Sequence, residues 1–245
     1  STPKPSSAAS DVYKRQEWVV SIYLIVICAL LLLFGKLGDI YGKIRVFKIG
    51  SLLFIIGSLL SGFSVGLPFL LIARSIQAVG AAMTMSTNNG IITEVFPFKE
   101  RGRALGMIGS FVALGSIAGP GIGGLILAHL SWGYIFWINV PVGILAMILG
   151  AMILPKDVTT TQQPLDKTGA VLFAVLMVAL FAGVFIGQQI GFLQPVILAL
   201  FAVAIVTLII FVRVELRHEN PLLALQLFKN CLLYTSDAAD EGLGV

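Results

Sequence analysis

The sequence predicts an all-α membrane protein with seven transmembrane helices, and three features lead to that fold class. Hydrophobic residues make up 58% of the 245 residues and charged residues only 11%, whereas about a quarter of a soluble domain is charged. Apolar runs of about 20 residues recur, each long enough to cross the roughly 30 Å hydrocarbon core of a bilayer as a helix. The connections between the runs alternate between basic and uncharged. Because lipid offers the backbone no hydrogen-bond partner, every run is expected to be helical.

The apolar runs define the expected helices in chain order. We expect spans at residues 18–35, 46–66, 68–93, 105–129, 132–154, 169–188 and 193–212. The basic residues of the connections are Lys36, Lys43, Arg45, Lys48, Lys99, Arg101, Arg103, Lys156, Lys167, Arg213, Arg217 and Lys229. The intervening connections, near residues 66–68, 129–132 and 188–194, contain no Lys or Arg. The positive-inside rule therefore places the basic connections in the cytoplasm and Glu17 outside.

Both ends of the chain are expected to be non-native. Residues 1–16 and 231–245 are polar and end abruptly against apolar or amphipathic sequence. A DNA string that encodes residues 231–241 also encodes residues 6–16 when read as its reverse complement with one added nucleotide, as a sequencing-library adapter would. We therefore leave both segments out of the functional reasoning. Native polar tails are the alternative.

Charge and cysteine usage exclude several classes of function. The chain carries a net charge of +4 at pH 7. The excess basic residues lie in the connections, where they indicate the orientation of the helices in the membrane. We therefore expect no nucleic-acid partner. Cys231 falls in the second adapter-like segment and Cys28 lies alone in an apolar run, which leaves no disulfide or metal framework. Nothing resembles a phosphate-binding loop, a metal-ligand cluster or a nucleophile elbow. We therefore expect no enzyme activity, no cofactor and no metal.

The first basic connection reads GKLGDIYGKIR over residues 35–45, and its glycines allow two helices to approach closely. The string resembles the signature loop of the major facilitator superfamily, G-x-L-a-D-r-x-G-r-k. The matching residues are Gly35, Leu37, Asp39, Gly42 and Lys43. It departs at Ile40 and Ile44, where the family usually has bases. The resemblance implies a gating role for Asp39, with Arg45 nearby, in latching the outward-facing state. The alternative is a positive-inside turn with an incidental acid.

The third span contains an arginine where charge is costly. Arg74 lies about seven residues from the uncharged connection, hence roughly 10 Å deep at helical rise. Such a residue marks a transport pathway or a buried pair, although snorkelling to the outer interface is a competing explanation. Arg74, Gln77 and Gly80 resemble the second facilitator motif, with Ala78 replacing a usual glycine. The resemblance implies that Arg74 and Gln77 take part in proton coupling, with an acidic partner in sequence that is absent here.

The fourth span contains GSIAGPGIGG, residues 115–124. Glycines four residues apart line one helix face and allow close packing, and a proline removes a backbone donor. The pattern resembles the antiporter motif of facilitator exporters, g-x-x-x-G-P-x-x-G-G. The residues assigned to this antiporter helix are Gly115, Gly119, Pro120, Gly123 and Gly124. A packing face without any transport role is the alternative.

The fifth span opens with an aromatic belt, WGYIFWINVPVG, residues 132–143. Aromatic residues at this position anchor a helix at the membrane interface. As a string it resembles the matching helix of the fourteen-helix drug:proton antiporter branch. Asn139 is a possible cavity residue, and a hydrogen bond between helices is an equal alternative.

The resemblance covers residues 17–230 and implies a partial major facilitator fold, helices two to eight of fourteen. Residues 17–154 would form five helices of the N-terminal half, residues 155–168 a cytoplasmic loop, and residues 169–212 a helix pair inserted between the halves. Residues 213–230 would be a cytoplasmic connector. We expect the C-terminal half of the same protein to be missing. The two halves of such folds rock around a central site.

The resemblance implies a secondary transporter in the cytoplasmic membrane, with a bacterial source expected. The predicted activity is export of amphipathic or cationic drugs driven by the proton gradient, so the partners are a small-molecule substrate, protons and the lipid bilayer. A facilitator that exports one metabolite or siderophore would share every motif. A seven-helix receptor or sensor that transports nothing is a third possibility.

Overall fold

The computed structural model describes residues 5–63, 65–155, 157, 165–218 and 221–223, with the backbone alone for residues 5–17. Its helices are α1 Pro5–Tyr41, α2 Lys43–Gly62, α3 Leu67–Val95, α4 Phe98–His129, α5 Tyr134–Trp137, α6 Asn139–Ile153, α7 Lys167–Ile190 and α8 Pro195–Glu215. Within these residues, seven helical segments are long and apolar enough to cross a membrane, with α5 and α6 forming one of them. The predicted all-α membrane fold is confirmed.

The helices extend beyond the predicted spans on the basic side. α1 continues to Tyr41 instead of ending at residue 35, and α2 begins at Lys43 instead of residue 46. α4 begins at Phe98, seven residues before the predicted start. Hydropathy marks where the hydrocarbon ends, but a helix continues into the headgroup region, where charged side chains remain hydrated.

The adapter-like segments are only partly described. α1 begins at Pro5, so residues 5–16 are helical and continuous with the first span. A helical backbone is compatible with either origin of these residues, and the adapter interpretation of residues 1–16 stays a prediction. Residues 231–245 lie outside the described part of the chain, as does most of the predicted loop 155–168 and the second half of the predicted connector 213–230.

The first three helices form the best-packed part of the molecule. Ile27 of α1 packs against a small-residue face of α3 formed by Ala78, Ala81 and Ala82. α2 packs on the same helix, where a side-chain carbon on Gly80 would overlap the backbone of Phe54. Small residues at such crossings let helix backbones approach closely, which is how helices associate where the surroundings are as apolar as the side chains.

The fifth span packs against α2 on the side predicted to be outer. Gly133 lies against the carbonyl of Gly62, and the Trp137 Nε1–H donates a hydrogen bond to the Leu59 carbonyl oxygen at 3.2 Å. The Trp137 ring also meets Phe63 edge-on, with ring centroids 4.8 Å apart. The predicted aromatic belt therefore also fastens this span to α2.

Two further regions lie outside this bundle. α7 and α8 pack on each other through Leu176, Ala179 and Ala204, and α7 also lies against α1. α4 contacts α3 and α5, the helices next to it in the chain. Among the described residues, none belonging to α4 is fully buried. The residues assigned to the antiporter helix thus lie on a helix that has no fully buried residue in the described structure.

Candidate functional site

The turn between α1 and α2 is much tighter than an eleven-residue loop. Residues 35–41 belong to α1 and residues 43–45 to α2, so Gly42 alone connects the two helices. Its φ of 102° lies in the left-handed region that favours glycine. The sequence analysis expects two helices to approach closely over residues 35–45, and in the structure the non-helical part of this turn is Gly42 alone. The matched residues lie on two helix ends that meet at Gly42.

Lys43 connects the ends of three helices on the side predicted to be cytoplasmic. Its Nζ lies 3.2 Å from Oδ1 of Asp39 on α1 and 2.5 Å from Oε1 of Glu94 on α3. The aliphatic part of Lys43 crosses α3 above Gly90, where a larger residue would displace it. The Asp39 side chain remains 47% exposed, and ion pairs this exposed contribute at most about 1 kcal/mol. This network holds the turn in place while leaving Asp39 accessible from the side predicted to be cytoplasmic.

A second carboxylate reaches the same turn from the chain that follows α6. Asp157 Oδ1 accepts a hydrogen bond from the Ile44 N–H at 2.8 Å, and Oδ2 accepts one from the Arg45 N–H at 3.0 Å. These are two of the backbone donors that the first turn of a helix leaves unpaired. Asp157 therefore caps α2 from a distant part of the sequence.

Arg74 lies between aromatic rings near the predicted outer end of the bundle. Its guanidinium carbon is 4.1 Å from the ring centre of Tyr23 on α1 and 5.4 Å from that of Phe136 on α5. Its Nη1–H donates to Oε1 of Gln77 at 2.6 Å. Its Nε–H donates a longer hydrogen bond, 3.5 Å, to the Val19 carbonyl oxygen. Cation–π contacts of this kind contribute up to about 2 kcal/mol when they are desolvated.

Gln77 extends this network into the interface between α2 and α3. Gln77 is 1% exposed and Ser58 is fully buried. The Gln77 Nε2–H donates to Ser58 Oγ at 2.7 Å, and the Ser58 hydroxyl donates to the Phe54 carbonyl oxygen at 2.7 Å. Buried polar groups require such partners. Arg74 is thereby fixed by a chain of hydrogen bonds that crosses two helices.

In the part of the chain that the structure describes, no carboxylate lies within ion-pair distance of Arg74. Its surroundings are the two aromatic rings, one amide and one backbone carbonyl. A guanidinium keeps its charge under all physiological conditions. Among the described residues, the charge on Arg74 is therefore stabilised by these neutral groups.

The structure describes the antiporter-helix residues and Asn139, but none of them is among the contacts of Arg74 given above. Side-chain carbons added at Gly115, Gly119, Gly123 or Gly124 would meet no described atom within 4 Å. Pro120 lies inside the continuous helix α4. Asn139 is half-buried as the first residue of α6. The close packing expected of the α4 glycines and the cavity role of Asn139 both stay predictions.

Comparison with known proteins identifies the family. A sequence profile of the Major Facilitator Superfamily matches residues 11–229, most of the chain. The chain belongs to the major facilitator superfamily. Membership makes it a multi-pass protein of the cell membrane in a family of transporters, and it argues against the alternative of a seven-helix receptor.

Three bacterial facilitators illustrate the similarity. The riboflavin transporter RibZ of Clostridioides difficile is 45% identical over 159 residues, which is 64% of this chain and 35% of RibZ. Multidrug resistance protein 3 of Bacillus subtilis is 34% identical over 225 residues, 91% of this chain and 44% of the relative. The uncharacterized transporter YebQ of Escherichia coli is 37% identical over 217 residues, 86% and 46% respectively. The chain thus spans about a third to a half of the length of these curated relatives.

Sequence reasoning missed four residues of this facilitator that the structure brings to the predicted sites. Tyr23 and Phe136 surround Arg74, and Glu94 and Asp157 hold the turn at Gly42. Glu94 gave one signal, because it is an acid at the basic end of an apolar span. Phe136 belongs to the predicted aromatic belt, but nothing in the sequence signals its contact with Arg74 or the contacts of Tyr23 and Asp157, since these depend on how the helices are rotated and crossed.

Proposed function

We propose that the complete protein exports amphipathic, cationic compounds from the cytoplasm in exchange for inward-moving protons. Arg74 and Gln77 couple proton movement, while Asp39, assisted by Arg45, controls opening of the cytoplasmic side. The remaining residues of the 35–45 turn shape this gate. The antiporter helix is formed by Gly115, Gly119, Pro120, Gly123 and Gly124. Energy comes from the proton gradient, and the C-terminal half that we expect supplies the other side of the substrate path.

The observation that carries the proposal is the environment of Arg74. A permanent charge lies half-buried in an apolar bundle, where it is costly, and contacts Tyr23, Phe136 and Gln77. A carboxylate that binds Arg74 when ionised and leaves it when protonated would link protonation to helix position. The names of several relatives, such as Multidrug resistance protein 3, support drugs as the substrate class.

The first test is ethidium efflux from an efflux-deficient bacterium that expresses the complete gene without the adapter-like ends. Efflux is recorded before and after a protonophore collapses the proton gradient. We expect efflux that stops on collapse. Efflux that continues unchanged after collapse would contradict proton coupling. If a well-expressed protein shows no ethidium efflux, the proposed multidrug substrate class is wrong.

The gating role has its own variant. In the complete protein, Asp39→Asn is expected to abolish most ethidium efflux while expression in the membrane stays normal, because the substitution removes the charge that Lys43 binds. Glu100→Gln is the matched control, since Glu100 is an exposed acid in the first turn of α4 and on the same predicted side. Wild-type efflux by Asp39→Asn would contradict gating by this residue.

A second candidate function is transport of one specific metabolite, and the similarity to the riboflavin transporter RibZ favours it. The same strain can be assayed for movement of labelled riboflavin and of ethidium. Riboflavin transport without ethidium efflux would establish the narrow substrate. Ethidium efflux that excess riboflavin leaves unchanged would support the drug exporter.

A further inference from the structure

Asp157 lies at a junction between two parts of the chain that are far apart in sequence. It follows α6, which ends at Ile153, and both of its carboxylate oxygens accept hydrogen bonds from the first turn of α2. The contacts span 113 and 112 residues. A single side chain therefore ties the cytoplasmic end of the fifth span to the turn that carries the facilitator signature.

The position of Asp157 suits a carboxylate for two physical reasons. The N–H groups at the start of a helix lack intrahelical partners and carry the positive end of the helix dipole. Gly42 occupies the N-cap position and has no side chain with which to satisfy them. Arg45 and Lys48 line the same cytoplasmic cavity as Asp157 and add positive charge. An anion is therefore stabilised here by both hydrogen bonds and electrostatics.

The same contact explains the glycine of the signature at this position. Gly42 has a φ of 102°, which side chains rarely adopt, and a side-chain carbon there would overlap the Asp157 carboxylate. Gly42 is thus needed both for the turn and for the space that Asp157 occupies. Gly42, which the sequence analysis identified only through the family resemblance, therefore has a specific packing partner in this chain, Asp157.

We infer that Asp157 is a positioning residue that makes the end of α6 and the 35–45 turn move as one unit. Any displacement of the turn during opening is then transmitted to the fifth span, whose Phe136 faces Arg74 at the opposite end. The consequence for transport rests on the proposed function. The capping contact itself does not, and it can be measured without any substrate.

The test is amide hydrogen exchange on the complete purified protein, read on peptides that cover residues 43–48. Asp157→Ala should raise exchange of the Ile44 and Arg45 amides by about tenfold, the effect of losing one hydrogen bond worth about 1.4 kcal/mol. Asp157→Asn keeps one acceptor oxygen and should show a smaller increase, which retains the test if the alanine variant folds poorly. Unchanged exchange in both variants would overturn the assignment.

Asp166→Asn is the matched control, because Asp166 caps the start of α7 by accepting from the Gly169 N–H at 2.9 Å. It should alter exchange near residue 169 and leave residues 43–48 unchanged. Transport assays on the same variants separate positioning from stability. We expect Asp157→Ala to lower the maximal efflux rate severalfold with an unchanged KM. Faster exchange with wild-type transport would overturn the coupling of the turn to α6, whereas absence of drug efflux in the wild type would affect the proposed function alone.

Discussion

The glycines of α2 and α3 and those of α4 occupy opposite environments. A side-chain carbon on Gly57 or Gly80 would overlap the backbone of the facing helix, whereas the same atom on Gly119 or Gly123 would meet nothing within 4 Å among the described residues. Both regions read as small-residue faces in the sequence. In α2 and α3 the glycines set the distance between two helices, and in α4 they form an exposed surface within the described structure. A glycine pattern therefore predicts the capacity for close packing, not its occurrence.

Local packing also separates the two candidate sites. Arg74 and Gln77 belong to the α1–α3 bundle, where Gln77 is buried, Arg74 is half-buried and both have hydrogen-bond partners. The residues of the antiporter helix have no such neighbours in the described part of the chain. Substitutions in the two regions should therefore affect stability very differently, and the following experiments measure that difference.

The largest effect is expected for Gly80→Ala. The added methyl group would overlap the backbone at Phe54 and Gly50, so α2 and α3 must separate. We expect the free energy of unfolding of the 245-residue chain in detergent to fall by up to about 3 kcal/mol, the usual upper range for overpacking. Unfolding can be followed by circular dichroism during titration with a denaturing detergent.

Gly191→Ala is not a suitable control for that experiment because Gly191 has a φ of 95°. Gly106→Ala is suitable, since Gly106 is helical and an added side-chain carbon would meet no described atom of another element within 4 Å. Equal stability of the Gly80→Ala chain and the wild type would contradict the close contact between α2 and α3.

An intermediate effect is expected for Gln77→Leu. The substitution keeps the approximate volume but leaves Arg74 Nη1 and Ser58 Oγ without the amide that now joins them. We expect a loss of about 1–2 kcal/mol in the free energy of unfolding, because one of the broken hydrogen bonds involves a charged donor. The same detergent titration measures it.

Ser58→Ala provides the comparison for this network, since it removes the neutral end and leaves the pair of Arg74 and Gln77 intact. Its loss should be smaller, about 0.5–1 kcal/mol. A larger loss for Ser58→Ala than for Gln77→Leu would show that the network is anchored by the hydroxyl group and not by the arginine.

The sequence predicted the membrane spans well because the hydropathy of each apolar run is a local property that does not depend on the rest of the fold. It also located Gly42 and Arg74, since a positive-φ turn and a charge inside an apolar run are local signals. It could not supply Tyr23, Phe136 or Asp157, whose contacts depend on the crossing and rotation of helices distant in sequence. Helix ends were misplaced where charged residues continue a helix beyond the hydrocarbon, as at Tyr41.

The smallest effect is expected for Gly119→Ala. Alanine is a better helix former than glycine by about 1 kcal/mol in a helix interior, and no described atom lies close enough to be displaced. We therefore expect the 245-residue chain to be unchanged or slightly more stable in the same titration. A loss above about 1 kcal/mol would mean that a further segment packs on this face of α4, since exposed substitutions rarely exceed about 0.5 kcal/mol.

The same Gly119→Ala variant in the complete protein distinguishes the two hypotheses for α4, an antiporter helix or a membrane span whose glycines have no transport role. If the antiporter helix works through close packing, as we propose, ethidium efflux should fall although the shorter chain is not destabilised. Transport would then fall without a loss of stability, in contrast to Gly80→Ala, for which a loss of stability is expected. Normal efflux by Gly119→Ala would leave α4 as a membrane span whose glycines carry no transport role, and the proposed exchange mechanism would then depend on Arg74, Gln77 and the gate at Asp39.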